Sequence, residues 1–340
     1  MYSFEEDRIL RWLRSENVNE VLLQVPDGIK PYIGGLVNFL VENDISVFVS
    51  GSHTWGGCDI AFNEAISIGI RHIVHIGHHG PVRVANFRGI KVLFIPGYYE
   101  IDTEKVSVLL IDFLRGKYNS IGLFTTIQHY RDFKKIVNDL EKQKIRVYTG
   151  KSPDPFLPRG VIIGCDPRAS DYLEKDVDVI VVIAGGIFHA LSIGLWRSEK
   201  KVFSLDPYIL KIKDVTPSIR KILSLRLHNI INAIDKEKFI IVISTKPGQF
   251  FFSQAKKIEK MLKKHGKKVL KIITEEVRRE TFINMRVNDY GYINSACPRL
   301  SIDDPEIFPG PVVNIGEVKY ILGIAKIEEY SLRDCLILNI

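Results

Sequence analysis

Cysteine is scarce in this chain, with 4 in 340 residues, and no two stand in the Cys-x-x-Cys spacing of a zinc ribbon or dithiol redox pair. So few thiols, so widely spaced, exclude a disulfide-stapled scaffold. Long apolar runs are also missing. The longest, residues 177–188, is broken by Asp178, Gly185 and Gly186, which excludes a bilayer-spanning helix there. The opening Met-Tyr-Ser-Phe-Glu-Glu-Asp is acidic and lacks the basic end and apolar centre of a signal peptide. The expected location is the cytoplasm, where lone cysteines persist as thiols or metal ligands. What is present is an ordinary globular balance, 46% hydrophobic and 26% charged, over a length that allows two or three domains with their own cores. The Lys, Ile and Glu usage, beside only 3 Met, resembles that of proteins from hot environments.

A net charge of +7 raises the question of nucleic acid, and the distribution answers it. Lys256, Lys257, Lys260, Lys263, Lys264, Lys267 and Lys268 lie on and just after one amphipathic helix whose apolar positions are Ile258, Met261 and Leu262. That is a solvated face. No aromatics interleave there as a base-stacking surface requires, so no direct nucleic-acid binding is expected. A basic surface that steers a large acidic partner remains compatible with the pattern.

One unit recurs three times along the chain. The first copy reads strand 21–25, the turn Pro26-Asp27-Gly28, a helix near 32–42, strand 46–50, the Cys58 loop, a helix near 60–67 and strand 72–76. The second reads strand 121–125, a helix near 131–143, strand 146–148, a strand at 161–163, Cys165, and strand 177–184. The third reads strand 239–244, the turn Lys246-Pro247-Gly248, the lysine-rich helix, strand 268–273 and strand 290–294 before Cys297. Strands separated by helices predict parallel β-α-β units. The expected architecture is α/β, with three related domains at 1–112, 113–215 and 216–340 arranged as a pseudo-threefold triangle.

Each domain carries one cysteine at a turn beside an apolar strand: Gly56-Gly57-Cys58-Asp59, Gly164-Cys165-Asp166-Pro167 and Ala296-Cys297-Pro298-Arg299. Ligands of such sheets collect beyond the carboxyl ends of the strands, where three loops can converge. Thiolates select zinc or iron–sulfur clusters, and three of them around a four-iron cube leave one iron open. The alternative is three cysteines packed as small hydrophobes. Cys335, within Cys335-Leu336-Ile337-Leu338, reads as core.

Several segments together resemble the archaeal diphthamide synthase family: Leu23-Gln24-Val25-Pro26-Asp27-Gly28-Ile29-Lys30, His75-Ile76-Gly77-His78, Gly185-Gly186-Ile187-Phe188-His189-Ala190-Leu191, Asp206-Pro207-Tyr208, Thr245-Lys246-Pro247-Gly248-Gln249 and Ser295-Ala296-Cys297-Pro298-Arg299-Leu300-Ser301-Ile302-Asp303. The Cys-Pro-Arg-Leu-Ser-Ile-Asp and Lys-Pro-Gly-Gln blocks are the specific ones. The resemblance implies a homodimer in which each subunit holds a [4Fe-4S] cluster on Cys58, Cys165 and Cys297. It implies a radical reaction of S-adenosylmethionine, in which the 3-amino-3-carboxypropyl group passes to a histidine of translation elongation factor 2 and methylthioadenosine is left. An electron donor must reduce the cluster. The chain departs from the family at Ile187, where a basic residue is frequent, and at Ser52-His53-Thr54-Trp55, where relatives are smaller.

For the arm of S-adenosylmethionine, the Lys246-Pro247-Gly248-Gln249 turn offers backbone donors to a carboxylate and Gln249 a bond to the amine; the competing reading is a plain strand-to-helix turn. Arg299 either forks onto the carboxylate or pairs with Asp303. His189 follows two glycines at a strand end, where backbone approaches a ligand closely, or is structural. His75, His78 and His79 suggest zinc, but residues three apart at a strand end do not share a face as on a helix. Leu195, Trp196 and Leu205 read as exposed apolar residues suited to a dimer surface. Two other classes remain open: a quinolinate synthase-like dehydratase, similar in plan, and a cluster-bearing accessory subunit without catalysis.

Overall fold

The computed structural model describes residues 2–79, 86–154, 157–173, 176–287 and 289–338. Among the described residues three larger sheets carry the chain in succession, beside a two-stranded antiparallel pair of Tyr2–Ser3 and Tyr98–Tyr99. Across the first run Ser46–Val49, Glu20–Gln24, His72–Ile76 and Ile90–Ile95, all parallel, with Asn86–Phe87 antiparallel at the edge. Across the second run Arg146–Tyr148, Ser120–Thr125, Val179–Ile183 and Val202–Asp206, also parallel, with Lys211–Asp214 antiparallel at the edge. The third is wholly parallel: Lys268–Thr274, Lys238–Ser244, Gly291–Asn294 and Val312–Asn314. In each sheet the four parallel strands lie in the order second, first, third, fourth by chain position. The repeat seen in the sequence is therefore a repeat of topology.

Burial explains why these segments choose strand. Val179–Ile183 is an unbroken β-branched run buried on both faces, as a central parallel strand between helical layers must be. The edge strand Ser46–Val49 is instead largely exposed. Helices show the 3.6-residue period: Tyr130–Lys142 buries Phe133, Ile136 and Leu140, and the lysine-rich Phe252–Lys264 buries Ala255, Ile258 and Leu262 while its lysines face out. Residues 161–163 do not form the expected strand. Val161 and Ile163 make only isolated bridges, to Thr125 and Asp166, because the chain is already turning toward Cys165.

The fourth strand of each sheet went unread in the sequence, and it changes where apolar residues end up. Leu205 lies in Val202–Asp206 and Leu195 in the helix Phe188–Trp196, and both are wholly buried. The indole of Trp196 donates to Asp171 (2.8 Å) and packs beneath the Arg333 guanidinium. These three residues are spent inside one chain, which removes the argument they made for a dimer surface.

Two elements weld the second and third sheets. The helix Thr216–Ile234 puts Ile219 and Ile222 into the core of the second and Ile230 and Ala233 into the core of the third. Midway along it Arg226, 1% exposed, is held by Glu317 and by the carbonyls of Ser301 (2.7 Å) and Val312 (2.9 Å). A buried guanidinium needs this complete set of partners. The turn Leu332–Leu336 returns to the second core, where Cys335 is fully buried and its thiol donates to the Leu332 carbonyl (2.9 Å).

Candidate functional site

All three solitary cysteines sit beyond the carboxyl ends of parallel strands. Cys58 and Cys165 occupy equivalent loops, between the second and third strands of their sheets, while Cys297 follows the third strand of its own. Each is half-buried and none is in a disulfide. The fold brings them within electrostatic reach of one another. Burial pushes the Cys165 thiol far up, and charge on Cys58 and Cys297 pushes it further. Burial and then charge on Cys58 raise Cys297 to about 11. Cys58 is raised chiefly by burial, against a hydrogen bond from Gln249 that works the other way.

With pKa values raised in this way the three thiols are neutral on their own, and as thiolates they would repel unless positive charge stood among them. Among the described residues no three His, Cys, Asp or Glu side chains stand close enough to hold a single metal ion. An iron–sulfur cube is wider than an ion and takes its thiolates from further apart. The donor set, three soft sulfurs from three loops, fits such a group.

The turns singled out in the sequence turn out to hold the cysteine loops. Lys246 is 5% exposed, and its amine pairs with Asp59 (2.6 Å) and with Glu276. Burial alone would discharge it, but these two carboxylates hold it charged above its ordinary pKa. The Gly248 amide donates to the Cys58 carbonyl (2.8 Å), and the Gln249 amide nitrogen donates to Cys58 Sγ (3.3 Å). A Cβ on Gly248 would stand 2.4 Å from that of Cys58, so the turn needs glycine to come this close. The donors expected to hold a carboxylate are engaged with the Cys58 loop.

Arg299 follows the second of its two readings. Its guanidinium forks onto Asp303 (2.7 and 2.9 Å), bonds the carbonyls of Gly164 (3.1 Å) and Phe188 (3.2 Å), and stacks on the Phe188 ring. Because Gly164 precedes Cys165, this one side chain ties the Cys297 turn to the Cys165 loop. Two asparagines that sequence reasoning passed over finish the Cys297 turn: Asn294 donates to the Cys297 carbonyl (2.8 Å) and Asn314 to the carbonyls of Pro298 (3.0 Å) and Cys335 (2.7 Å). For Asn294 a signal was available, since it ends the expected strand before Cys297; Asn314 ends Val312–Asn314, which the sequence pattern did not show.

The histidines converge without forming a metal group. His75 and His78 meet after all, Nε2 to Nδ1 at 3.0 Å, because Gly77 between them takes φ +87° and turns the chain back. Gln24 Oε1 receives the other His75 nitrogen (3.0 Å). Burial drives His75 well below its ordinary pKa and His78 to about 4. His189 is lowered to about 4 by burial and then by the charges of Arg299, His78 and His129, and its Nδ1 has no partner among the described residues. His129 meets the Tyr208 hydroxyl (3.1 Å), which brings the Asp206-Pro207-Tyr208 block to the same place. The imidazoles thus lie beside side chains that tie the cysteine loops: Gln24, which holds His75, donates to the Asp59 carbonyl (2.6 Å), and His189 feels the charge of Arg299.

Comparison with known proteins meets this geometry. A family model described as a diphthamide synthesis protein matches residues 25–331. The 2-(3-amino-3-carboxypropyl)histidine synthase of Pyrococcus horikoshii is 29% identical over 341 residues, covering 99% of this chain and 94% of that one. The synthase of Methanocaldococcus jannaschii is 26% identical over 95% of this chain and 90% of its own. Subunit 1 of the Candida glabrata synthase is 28% identical over 98% of this chain and 78% of its own. Among solved structures, Dph2 from Pyrococcus horikoshii with a 4Fe-4S cluster superposes with TM-score 0.85 at 28% identity, over 98% of this chain and 94% of that one. The quinolinate synthase reading is set aside, and the chain belongs to the diphthamide synthesis family.

Proposed function

We propose that this chain is a 2-(3-amino-3-carboxypropyl)histidine synthase, transferring the 3-amino-3-carboxypropyl group of S-adenosylmethionine to a histidine of translation elongation factor 2, the first step of diphthamide biosynthesis. The observation that carries the reading is the convergence of Cys58, Cys165 and Cys297 from equivalent ends of three repeated sheets, in a chain of this family. When bound there, a reduced [4Fe-4S] cluster supplies the electron that cleaves a carbon–sulfur bond of the sulfonium.

The remaining work falls to the protein. Lys246 and Gly248 fix the Cys58 loop, Gln249 donates to the Cys58 sulfur, and Arg299 fixes the Cys165 and Cys297 loops to each other. His189, with a free Nδ1 held neutral at physiological pH, is placed to accept a hydrogen bond from the substrate's ammonium or from the acceptor imidazole. The reading takes each sheet with its helices as a domain, 1–112, 113–215 and 216–340, set as a triangle about the cluster. It includes a cytoplasmic homodimer and a separate electron donor. No described helix is long and apolar enough to cross a membrane.

The test is anaerobic incubation of the purified chain with elongation factor 2, S-adenosylmethionine and dithionite. The expected products are methylthioadenosine and a mass increase on one histidine of the factor. An iron-loaded chain that yields neither would be an accessory subunit.

A further inference from the structure

The Lys246–Gln249 turn belongs to the third sheet, yet Lys246, Gly248 and Gln249 each make a contact to the loop of the first sheet's cysteine. Gln249 is 8% exposed, and its backbone amide bonds the Lys246 carbonyl (2.9 Å), which pins the turn and aims the side chain. At its tip Nε2 reaches Cys58 Sγ at 3.3 Å, within range for a donor to sulfur. Cys297 draws its donors differently, from the backbone amides of Arg299 and Leu300. The Gln249 contact is therefore a side-chain hydrogen bond to a cysteine sulfur that a point substitution can remove without rewriting the backbone.

A donor to a ligand sulfur stabilises whichever state of a cluster carries more negative charge on its sulfurs, which is the reduced one. We infer that Gln249 is a positioning residue whose amide N–H on Cys58 raises the reduction potential of the bound cluster, so that a physiological donor can reduce it. This role rests on the cluster reading above and replaces contact with the substrate amine. The turn is then a clamp from one unit that sets the electronics of a ligand in another.

The test compares wild type with Gln249→Leu and Gln249→Met, apolar side chains of similar length that lack the N–H. Each protein is reconstituted anaerobically, its iron counted, and its midpoint potential measured by titration followed with electron paramagnetic resonance. The expected result is wild-type iron content in both variants with a potential shifted to more negative values. An unmoved potential at full iron content in both would overturn the inference, because the N–H would then carry no weight at the sulfur. Loss of iron in both would overturn it too, since Gln249 would be needed to hold the loop rather than to tune it. A wild-type protein that takes up no iron would refute the cluster reading instead, which keeps the two failures apart.

Discussion

Gly248→Ala tests the clamp by bulk alone. Gly248 has no positive φ, so alanine adds no backbone strain, and its whole effect comes from where the new Cβ would go. That point is 2.4 Å from Cys58 Cβ, 2.5 Å from Cys58 Cα and 3.1 Å from its carbonyl oxygen. All three neighbours lie on or next to the backbone, so no rotamer change relieves the clash. The loop must move away, and with it goes the Gly248 to Cys58 hydrogen bond of 2.8 Å. Overpacking of this kind costs about 1–3 kcal/mol. A lost buried backbone hydrogen bond adds about 1 kcal/mol. The expected destabilisation is about 2–4 kcal/mol by urea unfolding of the iron-free protein, with iron retention after reconstitution falling well below wild type. Gly35→Ala is the control: it lies in the helix Gly34–Glu42 with nothing within 4 Å of the new Cβ. It should stabilise by about 0.5–1 kcal/mol. Wild-type iron and stability in Gly248→Ala would refute the packing argument.

Arg299→Lys keeps the charge but loses the fork that joins two cysteine loops, so it should lower iron retention as well as methylthioadenosine yield; full iron with low yield would return Arg299 to the substrate. Arg226→Met leaves the Glu317 carboxylate buried and unpaired and should cost about 3–5 kcal/mol in urea unfolding, while Arg226→Met with Glu317→Leu should cost less; equal losses would contradict the pairing. His78 is neutral in the fold with a pKa of about 4, and unfolding lets it rise to the ordinary histidine value. Its contribution is complete above about pH 6.5 and is lost as pH falls toward 4, about 2 kcal/mol between pH 7 and 5. His78→Gln should flatten the acid side of the stability profile of the iron-free protein, and an unchanged slope would show that other groups set it.

Much of this fold was legible because its strands are short, apolar and bounded by turns. The strands His72–Ile76 and Arg146–Tyr148 fall where the sequence pattern put them, and the others, except the one expected at 161–163, are within a residue or two. The fourth strands were hidden because periodicity does not distinguish a short buried run such as Val312–Asn314 from loop or core. Without them Leu195 and Leu205 looked exposed. The cysteine loops were visible as solitary thiols at glycine or proline turns. Their supports were not, because Lys246 with Asp59 and Arg299 with Gly164 are contacts between residues more than a hundred positions apart, which no local pattern encodes. Arg299 was legible only as a choice between two partners, and its spacing of four from Asp303 favoured the one found.

The central claim is that three cysteines from three repeated sheets act as one unit holding an iron–sulfur cluster. It is tested most directly by anaerobic reconstitution of wild type and of Cys58→Ala, Cys165→Ala, Cys297→Ala and Cys335→Ala, with iron counted and electron paramagnetic resonance recorded after reduction. The account predicts four irons and a reduced-cluster signal in wild type and Cys335→Ala, and loss of most of both in each of the other three. A Cys335→Ala variant as depleted as the rest, or an iron-free wild type that still forms methylthioadenosine, would contradict it.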